Sequence, residues 1–246
     1  MSGKRTAVVT GGSGGIGTAI GKQLAEENYM VILGDLRDDV SDVAKKISLQ
    51  TSGEVSGYTV DVTDSISVSK FFKRISEQAG NGHADILINN AGITRDATFR
   101  KMTYKQWDSV IKVNLYGSFY CTKEVVEGMV KDGFGRIVNI SSISRFGNRG
   151  QANYSASKAG LVGLTLTLAK ELAKHGITVN AISPGVIDTE MVKTIPEPIM
   201  SDLVKRIPEG RLGRPDEIAS LISFLISDKA QYINGEIINV NGGFFF

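Results

Sequence analysis

The sequence predicts an α/β fold: a doubly wound parallel sheet of seven strands with helices on both faces, in a single domain over residues 1–246. Three observations carry this. Short apolar runs alternate with longer amphipathic stretches from one end of the chain to the other, which is the rhythm of a parallel sheet crossed by helices. Several of the runs are nearly continuous in Val and Ile, as strands buried on both faces require. The first run passes directly into a glycine-rich turn, Thr10-Gly11-Gly12-Ser13-Gly14-Gly15-Ile16-Gly17, that opens a helical pattern. No repeat, low-complexity linker or shift in composition marks a second domain.

The strands are expected at Thr6–Thr10, Met30–Gly34, Ser56–Val60, Ile86–Ile88, Arg136–Ile140, Thr178–Ile182 and Glu236–Val240. Helical patterns between them include Ile16–Glu27, Ser65–Ala79, Tyr104–Lys131, Tyr154–Lys174 and Pro215–Ile226. The rhythm breaks at Asp188–Arg211, which carries Pro196, Pro198 and Pro208. A segment of that length beside the carboxyl edge of a sheet is expected to be a substrate lid.

Composition narrows the function. The 246 residues are 41% hydrophobic and 22% charged, with a formal net charge of +2. No run of Lys and Arg stands out, so nucleic acid is not expected as a partner. Neither a signal peptide nor an apolar stretch of membrane-spanning length is visible, and a cytoplasmic protein is expected. The single cysteine, Cys121, excludes an internal disulfide and a cysteine-built metal site. Cys121 and Trp107 fall in an apolar helical pattern and read as core. His83 and His175 lie among polar residues with no third ligand nearby, so no metal is expected.

The glycine-rich turn suits a dinucleotide. Glycines permit the tight turn and let backbone N–H groups approach a pyrophosphate, whose charge the helix N-terminus favours. A lone glycine pattern is weak; its place between strand and helix gives it force. Asp35 closes the second strand, where a carboxylate accepts hydrogen bonds from the adenine-ribose hydroxyls and repels the extra phosphate of NADP. NAD(H) is therefore expected over NADP(H), although Arg37, two residues on, offers a guanidinium to a 2′-phosphate. Asp61-Val62 is expected to end the third strand and meet the adenine.

Tyr154-Ser155-Ala156-Ser157-Lys158 sets a phenol and an ammonium four residues apart, on one face of a helix. Ala159, Leu161, Leu164, Leu168 and Leu172 continue at helical spacing. The pair suits proton transfer. Bringing a tyrosine from its usual pKa near ~10 to about 7 takes roughly 4 kcal/mol of preference for the phenolate. A cation ~4 Å away supplies on the order of 4 kcal/mol at an effective dielectric of ~20. An isolated Tyr-xxx-Lys is a common surface feature, so the rest of the chain has to support the chemistry.

It does so in order. Thr10–Gly17, Asn89-Asn90-Ala91-Gly92, Asn114, Ser142, Tyr154-xxx-Lys158 and Pro184-Gly185 stand in register, and with Asn241-Gly242-Gly243 the sequence resembles the classical short-chain dehydrogenase/reductase family over essentially its whole length. That resemblance implies a Rossmann-type fold and a nicotinamide-dependent oxidoreductase. It implies that Tyr154 is the general acid in carbonyl reduction, that Lys158 lowers its pKa and binds the nicotinamide ribose, and that Asn114 holds a water in a proton relay. The cofactor would lie along Gly11, Ser13, Gly15, Ile16, Gly17, Asp35, Asp61, Val62, Asn90, Ala91, Gly92, Tyr154, Lys158, Pro184, Gly185, Ile187 and Thr189. A serine bonds the substrate oxygen. Counting thirteen residues back from Tyr154 gives Ser141, whereas aligning on Gly135-Arg136-Ile137-Val138 gives Ser142. Ser142 is preferred, because a loop absorbs a deletion more easily than a strand end shifts register.

Asn89–Asp96, Phe99–Thr103, Gly150–Asn153 and Gly210–Pro215 are similar to the 3-oxoacyl-thioester reductases, which comprise the acyl-carrier-protein enzymes of fatty-acid synthesis and the acetoacetyl-CoA reductases of polyhydroxybutyrate formation. The resemblance implies a CoA or carrier-protein thioester as substrate, an acyl pocket lined by Ser142, Gln151, Tyr154 and Val186, and a homotetramer. Two other readings stay open at this point: a non-catalytic dinucleotide-binding regulator, and a dehydrogenase of secondary alcohols.

Overall fold

A computed structural model describes residues 4–193 and 196–244. Its centre is a seven-stranded sheet built from β1 (Thr6–Thr10), β2 (Met30–Asp35), β3 (Val55–Thr59), β4 (Ile86–Asn89), β5 (Gly135–Ile140), β6 (Ile177–Pro184) and β7 (Ile237–Val240). The order is β3-β2-β1-β4-β5-β6-β7 and every pairing is parallel. The helices are α1 (Gly15–Glu26), α2 (Val40–Thr51), α3 (Ser65–Ser76), α4 (Tyr104–Ile111), α5 (Gly117–Asp132), α6 (Ala152–Leu172), α7 (Glu190–Lys193), α8 (Glu197–Arg206) and α9 (Pro215–Ile226).

Alternation along the strands divides the core into two layers. Val9, Leu33, Ile88, Val138 and Ile182 face α1 and α9, against Ile20, Leu24, Ile218 and Ile222. Val8, Ile32, Leu87, Ile137 and Val179 face α3, α5 and α6, against Phe71, Phe72, Val125, Met129 and Leu172. The strand order reverses between β1 and β4, which opens a crevice at the carboxyl ends of the strands, the usual ligand position in such sheets. Among the described residues no helix is long and apolar enough to cross a membrane.

The structure differs from expectation in three places. Tyr104–Lys131 is not one helix: α4 and α5 are separated by a wider π turn at Lys112–Tyr116. Such a turn carries an extra residue and is common at functional sites, and here it turns Asn114 fully inward. Trp107 is 36% exposed rather than core, because α4 buries only Val110. β3 stops at Thr59, so Asp61 and Val62 lie in the turn beyond it, with Asp61 Oδ1 accepting from Thr63 N at 2.9 Å. The expected lid contains α7 and α8; Thr194 and Ile195 within it lie outside the described residues.

Candidate active site

The crevice is a cleft of about 470 Å³. Its phosphate end is the turn between β1 and α1. Gly11 takes the left-handed conformation (φ +65°), and a Cβ there would lie 2.9 Å from the Cα of Ala91, so the two loops touch. Asn90 fastens them: its Nδ2 donates to the carbonyls of Thr10 and Gly11, both at 3.0 Å, while Thr10 Oγ1 accepts from the N–H groups of Asn90 and Ala91. At the far end of β2, Asp35 accepts from Ser13 N (2.9 Å) through one oxygen and from Arg37 N (3.0 Å) through the other. The Arg37 guanidinium pairs with Asp39.

The other end of the cleft holds the titratable groups. Ser141 and Ser142 follow β5, and adjacent residues of extended chain point opposite ways. Ser141 Oγ donates to the Lys158 carbonyl at 2.9 Å. Ser142 Oγ accepts from Ser144 N at 3.1 Å and lies within hydrogen-bonding reach of the Tyr154 phenol. Tyr154 and Lys158 stand one turn apart on α6, as their spacing predicts. The Lys158 ammonium donates to the Ile140 carbonyl at 2.6 Å and sits 5.5 Å from the centre of the Tyr154 ring. Asn114 reaches them from the π turn. Its Nδ2 donates to Ser157 Oγ (3.0 Å) and Ile93 O (3.1 Å), and its Oδ1 accepts from Ile93 N (2.9 Å). A Cβ on Gly92 would lie 3.4 Å from Lys158 Nζ and 3.5 Å from Asn114 Oδ1, so the backbone closes over both groups.

Electrostatics depart from the sequence argument. Burial pushes the Tyr154 phenol up to about 12, with the Ser142 hydrogen bond pulling against it and Asp96 adding to it. Burial likewise brings Lys158 down to about 8. The expected lowering of the phenol by a neighbouring cation is not found: the ammonium is held at the strand-end carbonyl, and desolvation dominates.

All seventeen residues expected along the cofactor line this one cleft, and Ser142 joins them. Asn114 stands behind the wall, in contact with it through Ile93. Gln151 and Val186 do not line it. Gln151 is tied to Asp96 (2.9 Å), Ser144 (3.1 Å) and Asn148 (2.9 Å), and Val186 borders a separate pocket of about 90 Å³ beside Arg211 and Glu217. The cleft also takes in Leu36, Val60, Ile93, Val113, Glu190 and Val192, which sequence reasoning did not name. Val60 and Ile93 follow strand ends, the one signal that would have found them.

The residues fit a dinucleotide. Ser13 lines the cleft at the phosphate turn, and its Oγ is buried with no partner, a donor left over for a phosphate or ribose oxygen. A Cβ on Gly15 would stand 3.2 Å from Thr189 Cγ2, so the phosphate turn and the opposite wall of the cleft come close together here. Among the described residues no group of three or more His, Cys, Asp or Glu side chains could hold a metal ion. His83 Nε2 lies 3.5 Å from Asp132 instead, and Cys121 is buried, with its thiol pushed up to about 12.

Comparison with known proteins agrees with this geometry. The family model described as "Enoyl-(Acyl carrier protein) reductase" matches residues 11–245. An acetoacetyl-CoA reductase of Shinella zoogloeoides is 49% identical over 244 residues, covering 98% of this chain and 99% of that one. A 3-oxoacyl-[acyl-carrier-protein] reductase FabG of Thermotoga maritima is 42% identical over 240 residues, 97% of each chain. Nodulation protein G of Azospirillum brasilense is 44% identical over 243 residues, 98% of each. With motifs, cleft and full-length similarity in agreement, the chain belongs to the short-chain dehydrogenase/reductase family of nicotinamide-dependent oxidoreductases.

Proposed function

We propose that the protein reduces a 3-oxoacyl thioester of the acetoacetyl-CoA type to the 3-hydroxyacyl thioester. The observation that carries this reading is the convergence of Ser142, Tyr154 and Lys158 on the wall of a cleft whose other end is the phosphate turn. The nicotinamide cofactor supplies the hydride when bound. Tyr154 Oη gives its proton to the oxygen that was the ketone, and the Ser142 hydroxyl bonds the same oxygen as charge develops on it. Lys158 and Asn114 hold the local charge and the approach to the proton donor; the Asn114 carboxamide, fixed by Ile93 and Ser157, keeps that geometry rigid. The segment Asp188–Arg211 serves as a lid over the substrate: its ends meet where Ile187 pairs with Gly213 and Asp188 N donates to Gly213 O at 2.8 Å. Assaying acetoacetyl-CoA, 3-oxoacyl-carrier-protein mimics and common polyols with both cofactors tests the reading, and turnover confined to polyols would overturn it.

NAD(H) is the preferred cofactor. Both oxygens of Asp35 are held at the adenosine end of the cleft, and Asp39 engages Arg37, so a carboxylate and no free cation meets a 2′-phosphate. The value of kcat/KM is expected to be about tenfold or more higher for NADH than for NADPH, since like charges about 5 Å apart cost a few kcal/mol at an effective dielectric of ~20. A clear NADPH preference would overturn the assignment.

The working form is a homotetramer. Trp107, Tyr116 and Phe119 along α4, the π turn and α5, Leu166 on α6, and Phe224 on α9 are exposed, more apolar surface than lone surface residues explain. Light scattering at micromolar concentration is expected to give four times the 26.4 kDa chain mass; a monomer mass would refute it. A CoA thioester is favoured over a carrier-protein one. In the carrier-protein reductases, arginines dock the acidic carrier just before the fifth and sixth strands; Gly133 and His175 stand there in this chain, and Gly133 is the left-handed cap that ends α5 (φ +66°).

A further inference from the structure

We propose that an exposed basic rim of Arg95, Arg100, Lys101 and Arg149 binds the phosphates of a nucleotide-bearing thioester handle of the coenzyme A kind, with Phe99 offering a face to its base. The inference rests on the thioester reading above and names the part of the substrate that lies outside the cleft.

Two loops form the rim and are stitched together beside the substrate end. Ala97 N donates to Gly150 O at 2.9 Å, Gln151 Nε2 to Asp96 Oδ2 at 2.9 Å, and Asn153 Nδ2 to Arg95 O at 3.0 Å. Asn153 directly precedes Tyr154, and Ile93, two residues before Arg95, lines the cleft. Residues 94–101 and 147–151 hold four cations and one carboxylate, a local +3 against +2 for the whole chain. All four cations are exposed. None makes an ion pair among the described residues, whose salt bridges lie elsewhere. The one carboxylate, Asp96, is held by Gln151. Arg95 Nη1 donates to the Thr94 carbonyl at 2.7 Å, but cations gathered without acidic partners repel one another and concentrate an attractive field for an anion. Phe99, 78% exposed among them, is placed as a stacking platform, since every nucleobase presents a π face. A phosphorylated nucleotide joined by a flexible arm to the thioester satisfies both features, while the arm carries the acyl group inward to Ser142 and Tyr154.

The test compares three thioesters on R95Q/R149Q and R100Q/K101Q: acetoacetyl-CoA, acetoacetyl-N-acetylcysteamine, which lacks the nucleotide, and an acetoacetyl-carrier protein. The kcat/KM ratio of the first to the second is expected to fall about tenfold or more, with the salt dependence of the first reduced. Binding of free coenzyme A, measured by calorimetry, is expected to weaken in parallel. An unchanged ratio overturns the proposal, as does an equal loss on the first two thioesters, which would mean a distorted loop. So does a selective loss on the carrier-protein thioester, which would make the occupant a protein. If the wild type reduces none of the thioesters yet binds coenzyme A through these residues, the rim stands and the thioester reading fails; if it reduces the first two and the variants match it, the rim fails alone.

Discussion

Tyr154→Phe is expected to lose at least about a hundredfold in kcat while its dissociation constant for NADH stays within a few-fold of wild type. The substitution removes one hydroxyl, the proton source, from a wall otherwise unchanged; a positioned acid typically contributes 10²-fold or more. A kcat within about tenfold of wild type would sink the assignment. The same group sets a pH expectation. Reduction needs the protonated phenol, and burial holds Tyr154 near about 12, so that form persists across the working range. Lys158, brought down to about 8, loses its proton first. Activity is therefore expected below pH 8 and lost as the pH rises through it. An alkaline limb of kcat/KM near pH 10 or above would show that Lys158 does not carry it.

The parts of this molecule that the sequence made legible are those written in local chemistry. Runs such as Ala7-Val8-Val9 and Val31-Ile32-Leu33 are buried on both faces, so their continuity in apolar residues is the signature of a parallel strand. The phosphate turn is legible because only glycine tolerates the approach of Ala91 to Gly11. Asn114 carried no such sign. Its π turn has neither glycine nor proline within Lys112–Tyr116, and what holds Asn114 there is the pair of bonds to Ile93, twenty-one positions earlier in the chain.

Side-chain direction was the other limit. Ser141 and Ser142 are neighbours in every count from a motif, and only the structure turns one hydroxyl onto the Lys158 carbonyl and the other toward Tyr154. Gln151 and Val186 came by analogy, which transfers a position and not the partners around it; only the structure gives Gln151 its bonds to Asp96, Ser144 and Asn148. The charge of Lys158 was legible and its effect was not, because that depends on the burial of Tyr154 as much as on the four-residue spacing.

Gly17→Ala is expected to raise the NADH dissociation constant at least about tenfold and to lower the thermal midpoint by several degrees. Helix propensity alone predicts the opposite, since alanine is favoured over glycine by about 1 kcal/mol inside a helix. Packing decides. A Cβ on Gly17 would stand 2.2 Å from the Gly11 carbonyl oxygen and 2.9 Å from the Gly12 Cα, both backbone atoms. That carbonyl also accepts from Gly14 N at 3.2 Å and Asn90 Nδ2 at 3.0 Å, so relieving the overlap pulls the phosphate turn off both the helix and the loop after β4. Gly163→Ala supplies the contrast. Within one chain nothing lies within 4 Å of the added carbon, so propensity is expected to prevail with a gain of up to about 1 kcal/mol, and a loss instead would place this stretch of α6, three residues from Leu166, in the subunit contact. Calorimetric binding and thermal unfolding of the two variants, run side by side, separate the effects. Wild-type NADH affinity in Gly17→Ala would mean that the turn does not hold the pyrophosphate.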